Sequence, residues 1–491
     1  MILGTILSAI KQRYTHTGSP SQPVTAVVYD SRRVIPGSLF VAMKGEQTDG
    51  HLYVRQAIAN GATAILSERA PIDNDVAWVS VADARKALAQ VSAAFYHDPT
   101  ARMEMVGITG TNGKTTTAYL VDSVLRVGGE KVCLVGTINA RIGDEDIRPA
   151  ERTTPEAPDL LALLDQACAR GCRYGVMEVS SHALDRSRVY GFRFRVAVFT
   201  NLTRDHLDYH GDFESYFQAK RRLFVNETGV APDLCVINID DPWGRRLAAE
   251  LPAAVTYGLS DLAAVHAVSY TYDVKHIRVE VGIAGRSLEI ESTLPGKANV
   301  YNILATVATC AGLKLSDQTI QHGIAALPCV PGRVERICEG QPFELLVDYA
   351  HTDDALRNLL ELMKDCTTGR IITVFGCGGD RDRSKRPLMG EVAGRYSDLT
   401  VATSDNPRRE DPYEILKEIE PGLKASGGAY ILIADRRAAI RHAITQAQPT
   451  DVVVVAGKGH ETTQTVGHQA IPFDDRLVAR ELLQEWLAGR R

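Results

Sequence analysis

No stretch of this 491-residue chain approaches the ~20 consecutive apolar residues that a membrane-spanning helix needs. The apolar run from Met1 to Leu7 is short and has no charged leader, so no signal peptide is expected. Charge of one sign is also lacking. The formal net charge of −5 argues against a broad nucleic-acid-binding face, though not against a local basic pocket. The nine cysteines are odd in number and scattered. Cys168 and Cys172 lie closest, and no Cys or His pair stands near them at zinc-site spacing. Reduced thiols in a cytoplasmic protein are therefore expected. Low-complexity segments and short tandem repeats are absent as well.

What is present is enough apolar residue, 45%, to build large cores, and a length that suggests about three domains. The most informative stretch is Gly107-Ile-Thr-Gly110-Thr111-Asn112-Gly113-Lys114-Thr115-Thr116-Thr117. The apolar segment before it, Met103 to Ile108, reads as a buried strand, and Ala118 to Arg126 has helical spacing. Strand, glycine loop and helix make a phosphate cradle, with backbone N–H groups and a helix N-terminus facing the anion. Lys114 would reach the β- and γ-phosphates and Thr115 would meet Mg²⁺. The G-x-x-G-K-T spacing is shorter than the common P-loop, with Gly107 and Gly110 extending it upstream.

The whole chain reads as α/β, in three units. Residues 1–98 form a small α/β domain, ending near Asp98-Pro99. Residues 99–332 carry the P-loop and a mostly parallel sheet, with strands at 103–108, 132–136, 174–179, 196–200 and 234–239. The short alternating runs of 252–294 read as an antiparallel extension. Residues 333–491 repeat the α/β alternation as a Rossmann-like domain, with strands at 344–347, 370–375, 398–402, 429–433 and 451–456. Ligands of such sheets sit at the carboxyl ends of the strands, where the polar clusters of this chain fall.

Glu178 ends one strand. It either holds Mg²⁺ beside Thr115 or is a surface carboxylate. Thr200 to Gly211 packs two His, two Asp and an Arg after another strand, and His206 there is either a second cation ligand or a structural histidine. Lys220, on an amphipathic helix, reads by pattern as a surface cation. In the third unit Asp405, Asn406 and Arg408 flank the rigid Pro407, a set that can hold a zwitterion by its ammonium and carboxylate. Gly457 and Glu461 add a close-approach backbone and a second acid. A P-loop ATPase or GTPase switch would use residues 107–117 but leave these clusters without a purpose.

Taken together, Gly110 to Thr116, Glu178 to His182, Thr200 to Gly211, Asn299 to Asn302, Pro331 to Arg333, Asp348 to His351 and Gly457 to Glu461 resemble, in order and over nearly the whole chain, the Mur ligases of peptidoglycan synthesis. A folylpolyglutamate-type ligase shares the central domain but not Asp405 to Arg408. Within the family, Asp-Asn-Pro-Arg accompanies the addition of meso-2,6-diaminopimelate to UDP-N-acetylmuramoyl-L-alanyl-D-glutamate; lysine-adding members differ there. The resemblance implies an ATP-dependent ligase, cytoplasmic and monomeric, that activates a carboxylate as an acyl phosphate. It implies two Mg²⁺, one on Thr115 and Glu178, the other on His206 and a carbamylated Lys220, which overturns the surface reading of that lysine. Gly110 to Thr116, Asn302, Arg333, Asp348 and His351 would surround ATP. Tyr29, Ser31, Glu46, Gln47 and Thr48 would hold the uridine diphosphate sugar, and Thr153, Thr154, Ser180, Arg186 and Arg188 its peptidyl arm. Arg381, Asp405, Asn406, Pro407, Arg408, Gly457 and Glu461 would bind diaminopimelate. Ala298, Asp353 and Arg152 depart from the usual family residues without removing a ligand.

Overall fold

The computed structural model describes residues 1–45, 48–72, 75–149, 152–225, 227 and 229–489. Three main sheets follow one another along the chain. The first holds β1 (Tyr14–His16), β2 (Ala26–Val28), β3 (Ser38–Ala42), β4 (Ala62–Ser67) and β5 (Ala77–Val81), in the order β1-β5-β4-β3-β2. Strands β2 to β5 are parallel and β1 runs antiparallel on the edge.

The second sheet has eleven strands. They are β6 (Glu104–Thr109), β7 (Val132–Val135), β8 (Asn139–Ile142), β9 (Glu145–Pro149), β10 (Tyr174–Glu178), β11 (Val196–Phe199), β12 (Leu234–Asn238), β13 (Val255–Gly258), β14 (Val265–Tyr272), β15 (Ile277–Ile283) and β16 (Arg286–Ser292). Their order is β16-β15-β14-β13-β12-β11-β6-β10-β7-β8-β9, which puts the P-loop strand β6 near the centre. The extension expected to be antiparallel from residue 252 is so only from β15. Strand β13 still runs parallel to β12, because the helix Pro242–Glu250 carries the chain back before it, and the start of β14 pairs parallel with the last two residues of β13. Strand β6 is buried on both faces, hence its unbroken apolar run. Gly107 within it leaves room for the Phe194 ring, which an added Cβ would meet at 2.7 Å.

The third sheet contains β17 (Glu335–Arg336), β18 (Glu344–Asp348), β19 (Ile371–Cys377), β20 (Leu399–Ser404), β21 (Tyr430–Leu432) and β22 (Val452–Ala456), ordered β17-β18-β22-β19-β20-β21. All but β17 are parallel. A separate hairpin, β23 (Thr463–Val466) and β24 (Gln469–Pro472), follows β22. The linker into this unit turns sharply at Gly332 and Val334, both at positive φ. It is pinned by Asp348 at the end of β18, whose carboxylate accepts from Val334 N and Ala350 N, each at 2.7 Å. The β14–β15 turn reaches across as well. Val274 packs against the third sheet's core and Tyr272 Oη lies 3.2 Å from Asp365 Oδ2.

The P-loop helix, Lys114–Val127, is held from behind by the helix Asp317–Ala325. A Cβ at Gly323 would sit 2.3 Å from Val124 Cα, so the two helices meet backbone to backbone. Helix propensity alone says that Gly323→Ala stabilises by about 1 kcal/mol; the contact says that it forces the helices apart, at about 1–3 kcal/mol. We expect the contact to win, and the urea midpoint of Gly323→Ala to fall below that of the unaltered chain.

Candidate active site

Both P-loop glycines are required by what touches them. Gly110, at φ +149°, would place a Cβ 1.8 Å from Thr200 Oγ1, and Gly113, at φ +86°, would place one 2.5 Å from Asn302 Oδ1. The end of β11 locks the loop: Thr111 N donates to Asn201 O at 2.8 Å and Asn112 N to Asn201 Oδ1 at 2.9 Å. The helix begins directly after Gly113, so its unpaired N–H groups face the loop. Lys114 Nζ folds back and donates to Gly110 O at 3.0 Å and Thr111 O at 2.8 Å. Desolvation pulls its ammonium below the ordinary range.

Thr115 and Glu178 are brought together. The Thr115 hydroxyl lies 3.0 Å from both oxygens of the buried Glu178 carboxylate, so the surface reading of Glu178 falls. Thr137, which the sequence did not single out, donates to the same carboxylate through N at 2.7 Å and Oγ1 at 3.0 Å. Hydroxyl plus carboxylate is the hard-oxygen chemistry that suits Mg²⁺, an ion that completes its shell with phosphate oxygens and water. Thr116 is buried in the first helical turn. Arg333 lies 3.4 Å from Thr115 Oγ1 with its guanidinium over the Tyr349 ring. Asn302 accepts from Thr117 Oγ1 at 3.3 Å, and His351 Nδ1 lies 2.9 Å from Tyr349 O.

Lys220 corrects the pattern-based reading: its side chain is 1% exposed. Its helix, Phe213–Arg221, puts Tyr216, Phe217 and Lys220 on one inward face. Lys220 follows these apolar residues at i+4 and i+3, the signal that could have found it. Its Nζ donates to Gly110 O at 2.7 Å and lies 4.4 Å from the centre of the Tyr216 ring. Desolvation, then Lys114, pushes the amine well below its ordinary range. His206, at φ +53°, opens into the adjoining cavity. Desolvation in the cleft pulls it down to about 4, with Asp205 opposing and His182 acting in the same direction. A neutral imidazole and a neutral amine are what a carbamate–histidine metal site would start from.

A cavity of about 770 Å³ separates the carboxyl ends of the second and third sheets. Thr153, Thr154, Ser180, Arg186 and Arg188 line it from one side, Arg381, Asp405, Asn406, Arg408, Gly457 and Glu461 from the other, with His206 and His351 between. Pro407 stands in the same loop but does not line it. Asp405 Oδ1 accepts from Asn406 N at 2.6 Å, while the buried Oδ2 has no hydrogen-bond partner among the described residues. Asn406 Nδ2 donates to Glu461 Oε2 at 2.8 Å. Arg408, whose Nη1 donates to Gly379 O at 2.8 Å, is pulled below its ordinary range by desolvation and then by Arg381. Asp205, Arg204 and Tyr209 line the cavity too; their motif was noticed in the sequence, their individual roles were not.

Tyr29, Ser31 and Thr48 lie apart from this cavity. Tyr29 Oη donates to Asp159 Oδ2 at 2.7 Å, tying the first unit to the helix Ala157–Ala169 of the second. Arg33 pairs with the same Asp159 at 2.7 Å. Ser31 Oγ donates to Gln56 Oε1 at 3.2 Å and Thr48 Oγ1 lies 3.1 Å from Tyr53 Oη. Glu46 and Gln47 fall outside the described residues.

A P-loop sheet and a second parallel sheet facing each other across one polar cleft define a multidomain nucleotide-dependent enzyme. The chain belongs to the Mur ligase family. Residues 23–96 match the "Mur ligase family, catalytic domain", 108–310 the "Mur ligase middle domain" and 332–459 the "Mur ligase, glutamate ligase domain". It is 48% identical over 490 residues to the UDP-N-acetylmuramoyl-L-alanyl-D-glutamate--2,6-diaminopimelate ligase of Solibacter usitatus, covering 99% of this chain and 98% of that one. The enzyme of the same name from Geobacillus thermodenitrificans is 44% identical, with 99% and 100% covered. A solved structure of a ligase of that name superposes with a TM-score of 0.71 at 32% identity, covering 99% of each chain.

Four histidines here resist protonation, and burial pulls one of them, His351, below its ordinary range. His206, His210 and His460 are each held near 4 instead of the ordinary 6.5, desolvation being the largest cause in every case. Above about pH 6.5 they are neutral in both folded and unfolded chains and do not affect stability. As pH falls from 6.5 towards 4 the unfolded chain binds protons that the folded chain refuses, so stability drops. The melting temperature should fall across that window, and His460→Asn should make the fall shallower. An unchanged slope in His460→Asn would contradict this assignment.

Proposed function

We propose that this chain joins meso-2,6-diaminopimelate to the D-glutamyl side-chain carboxyl of UDP-N-acetylmuramoyl-L-alanyl-D-glutamate, using ATP. The observation that carries this reading is the shared cavity. Hydroxyls and guanidinium groups of the second unit face Asp405, Arg408 and Glu461 of the third, and Thr154 Oγ1 is hydrogen-bonded to Glu178 O at 2.9 Å beside the P-loop. The full-length relatives named for this reaction support it. In this reading residues 1–98 hold the uridine diphosphate sugar, 99–332 hold ATP and 333–491 hold the amino acid. The cavity is complete within one chain, in keeping with a monomer. ATP and a UDP-activated sugar as co-substrates place the reaction in the cytoplasm.

The chemistry follows from the groups present. A carboxylate is a poor acyl donor. Its oxygen attacks the γ-phosphorus of ATP, ADP departs, and an acyl phosphate remains. The free amine of diaminopimelate then attacks the acyl carbon, an amide forms and phosphate leaves. Lys114 would swing from the Gly110 and Thr111 carbonyls onto the β- and γ-phosphates, and the loop N–H groups would hold them. Arg333 and Asn302, on either side of the loop, would fix the nucleotide. Arg186 and Arg188 would orient the anionic dipeptide arm. Asp405 Oδ2 and Glu461 would receive ammonium, and Arg408 with Arg381 the carboxylate that lysine lacks at its far end. Mg²⁺, held by Thr115 and Glu178 and, at a second position, by His206 and carbamylated Lys220, would neutralise phosphate charge. Carbamylation suits Lys220, since burial disfavours its ammonium form and the free amine becomes an anion on taking up CO₂ and releasing a proton.

Two outcomes are expected. Arg408→Ala should raise KM for diaminopimelate roughly 30-fold or more, equivalent to about 2 kcal/mol, because the substrate carboxylate loses its partner. KM for ATP should hold, and an equal rise in both would reject the assignment. Lys220→Ala should lower kcat about 100-fold or more, and Lys220→Glu, which restores an anion, should recover part of it. If Lys220→Ala retains full turnover, the carbamate has no role.

A further inference from the structure

The loop Asp405 to Arg408 presents two of the third unit's charges, Asp405 and Arg408, to the cavity, yet it is not self-supporting. Arg408 sits at φ +51°, a left-handed conformation that disfavours a bulky residue. Something outside the loop must hold it there. The hairpin β23–β24 does so from both sides: Arg408 N donates to Thr465 O at 3.0 Å, and Gly467 N donates to Arg408 O at 2.6 Å. The same arm continues along the loop. Thr465 N donates to Asn406 Oδ1 at 2.9 Å, and Gln464 Nε2 donates to Asp405 O at 2.6 Å. Just before the hairpin, Lys458 Nζ, wholly buried, donates to Glu461 Oε2 at 2.8 Å and to Thr463 O at 2.7 Å.

Gln464 is 8% exposed and does not line the cavity, whereas Asp405, Asn406, Arg408 and Glu461 do. It cannot be a substrate contact. The geometry points to Gln464 as a positioning residue: together with the hairpin turn at Gly467 it fixes the Asp405 backbone and the left-handed turn at Arg408. It thereby sets the preference for a diamino acid with two carboxylates over one with a single carboxylate. The inference rests on the reading that Asp405 to Arg408 receive the amino acid. Its physical basis is that a bidentate cation a fraction of an ångström out of place loses geometry before it loses charge. Gln464 therefore acts on amino-acid selectivity and leaves nucleotide binding alone.

Gly467, at φ +60°, has open space around its missing Cβ. It provides a second, independent handle on the same clamp. Asn tolerates a left-handed backbone and a β-branched residue does not.

The test uses the full chain, with ATP and the sugar dipeptide saturating and either diaminopimelate or lysine varied. Gln464→Leu should raise KM for diaminopimelate about tenfold and cut the diaminopimelate-to-lysine ratio of kcat/KM about as much, while KM for ATP stays within about twofold. Gly467→Val should behave like Gln464→Leu, and Gly467→Asn like the unaltered chain. Circular dichroism and the urea midpoint check folding; if Gln464→Leu does not fold, the Gly467 pair decides. Folded Gln464→Leu or Gly467→Val with unchanged KM and selectivity overturns the proposal, as does an equal rise in KM for ATP. Failure of the underlying reading would appear separately, as an unaltered chain that prefers lysine. The comparison is then made with lysine, and a flat KM for it still overturns the role of Gln464.

Discussion

Two lysine side-chain nitrogens converge on the carbonyl oxygen of Gly110, Lys114 at 3.0 Å and Lys220 at 2.7 Å. Desolvation disfavours the protonated form of both, and Lys114 adds to that effect at Lys220. Among the described residues neither has a carboxylate within ion-pair distance. A protein interior does not keep such a pair for stability, since uncompensated charge in a dry site is costly. In the proposed reading the arrangement would be a cradle for anions that arrive later: a triphosphate on Lys114 and a carboxylate built onto Lys220 itself. The glycines at 110 and 113, the Thr200–Asn201 end of β11 and the inward face of the Phe213–Arg221 helix all serve to bring these two cations to one point.

A second constraint is topological. Parallel sheets offer ligands their strand carboxyl ends, and here two such sheets turn those ends towards each other. The linker at Gly332 to Val334, pinned by Asp348, sets their separation, and the β14–β15 turn braces the far side. The result is a cavity whose walls come from different folding units; in the proposed reading one would hold the energy source and the other the incoming amine.

Much of this was legible in the residues. Buried parallel strands announce themselves as unbroken apolar runs, so β6, β10, β11, β19 and β22 were readable to within a residue or two. The loop glycines and Lys114 carried the cradle. Strands β1, β8, β9, β23 and β24 were not readable, because segments of three to five residues are too short for a run or an alternation to stand out. That gap mattered: without β23–β24 the support beneath Arg408 was invisible. Lys220 was misread for a different reason. Its charge was weighed above its place on an apolar helical face, where Tyr216 and Phe217 already marked the interior. Thr137 left no signal, since a threonine after a strand is ordinary, and only the fold shows it bonded twice to Glu178.

The most direct measurement is ADP release by the full chain given ATP, Mg²⁺ and the sugar dipeptide, with diaminopimelate, lysine or no amino acid. The account predicts sustained release with diaminopimelate, far less with lysine, and little with neither. Release at one rate in all three conditions would mean that the cations at Gly110 serve a simple nucleotide hydrolase, and the account would be wrong.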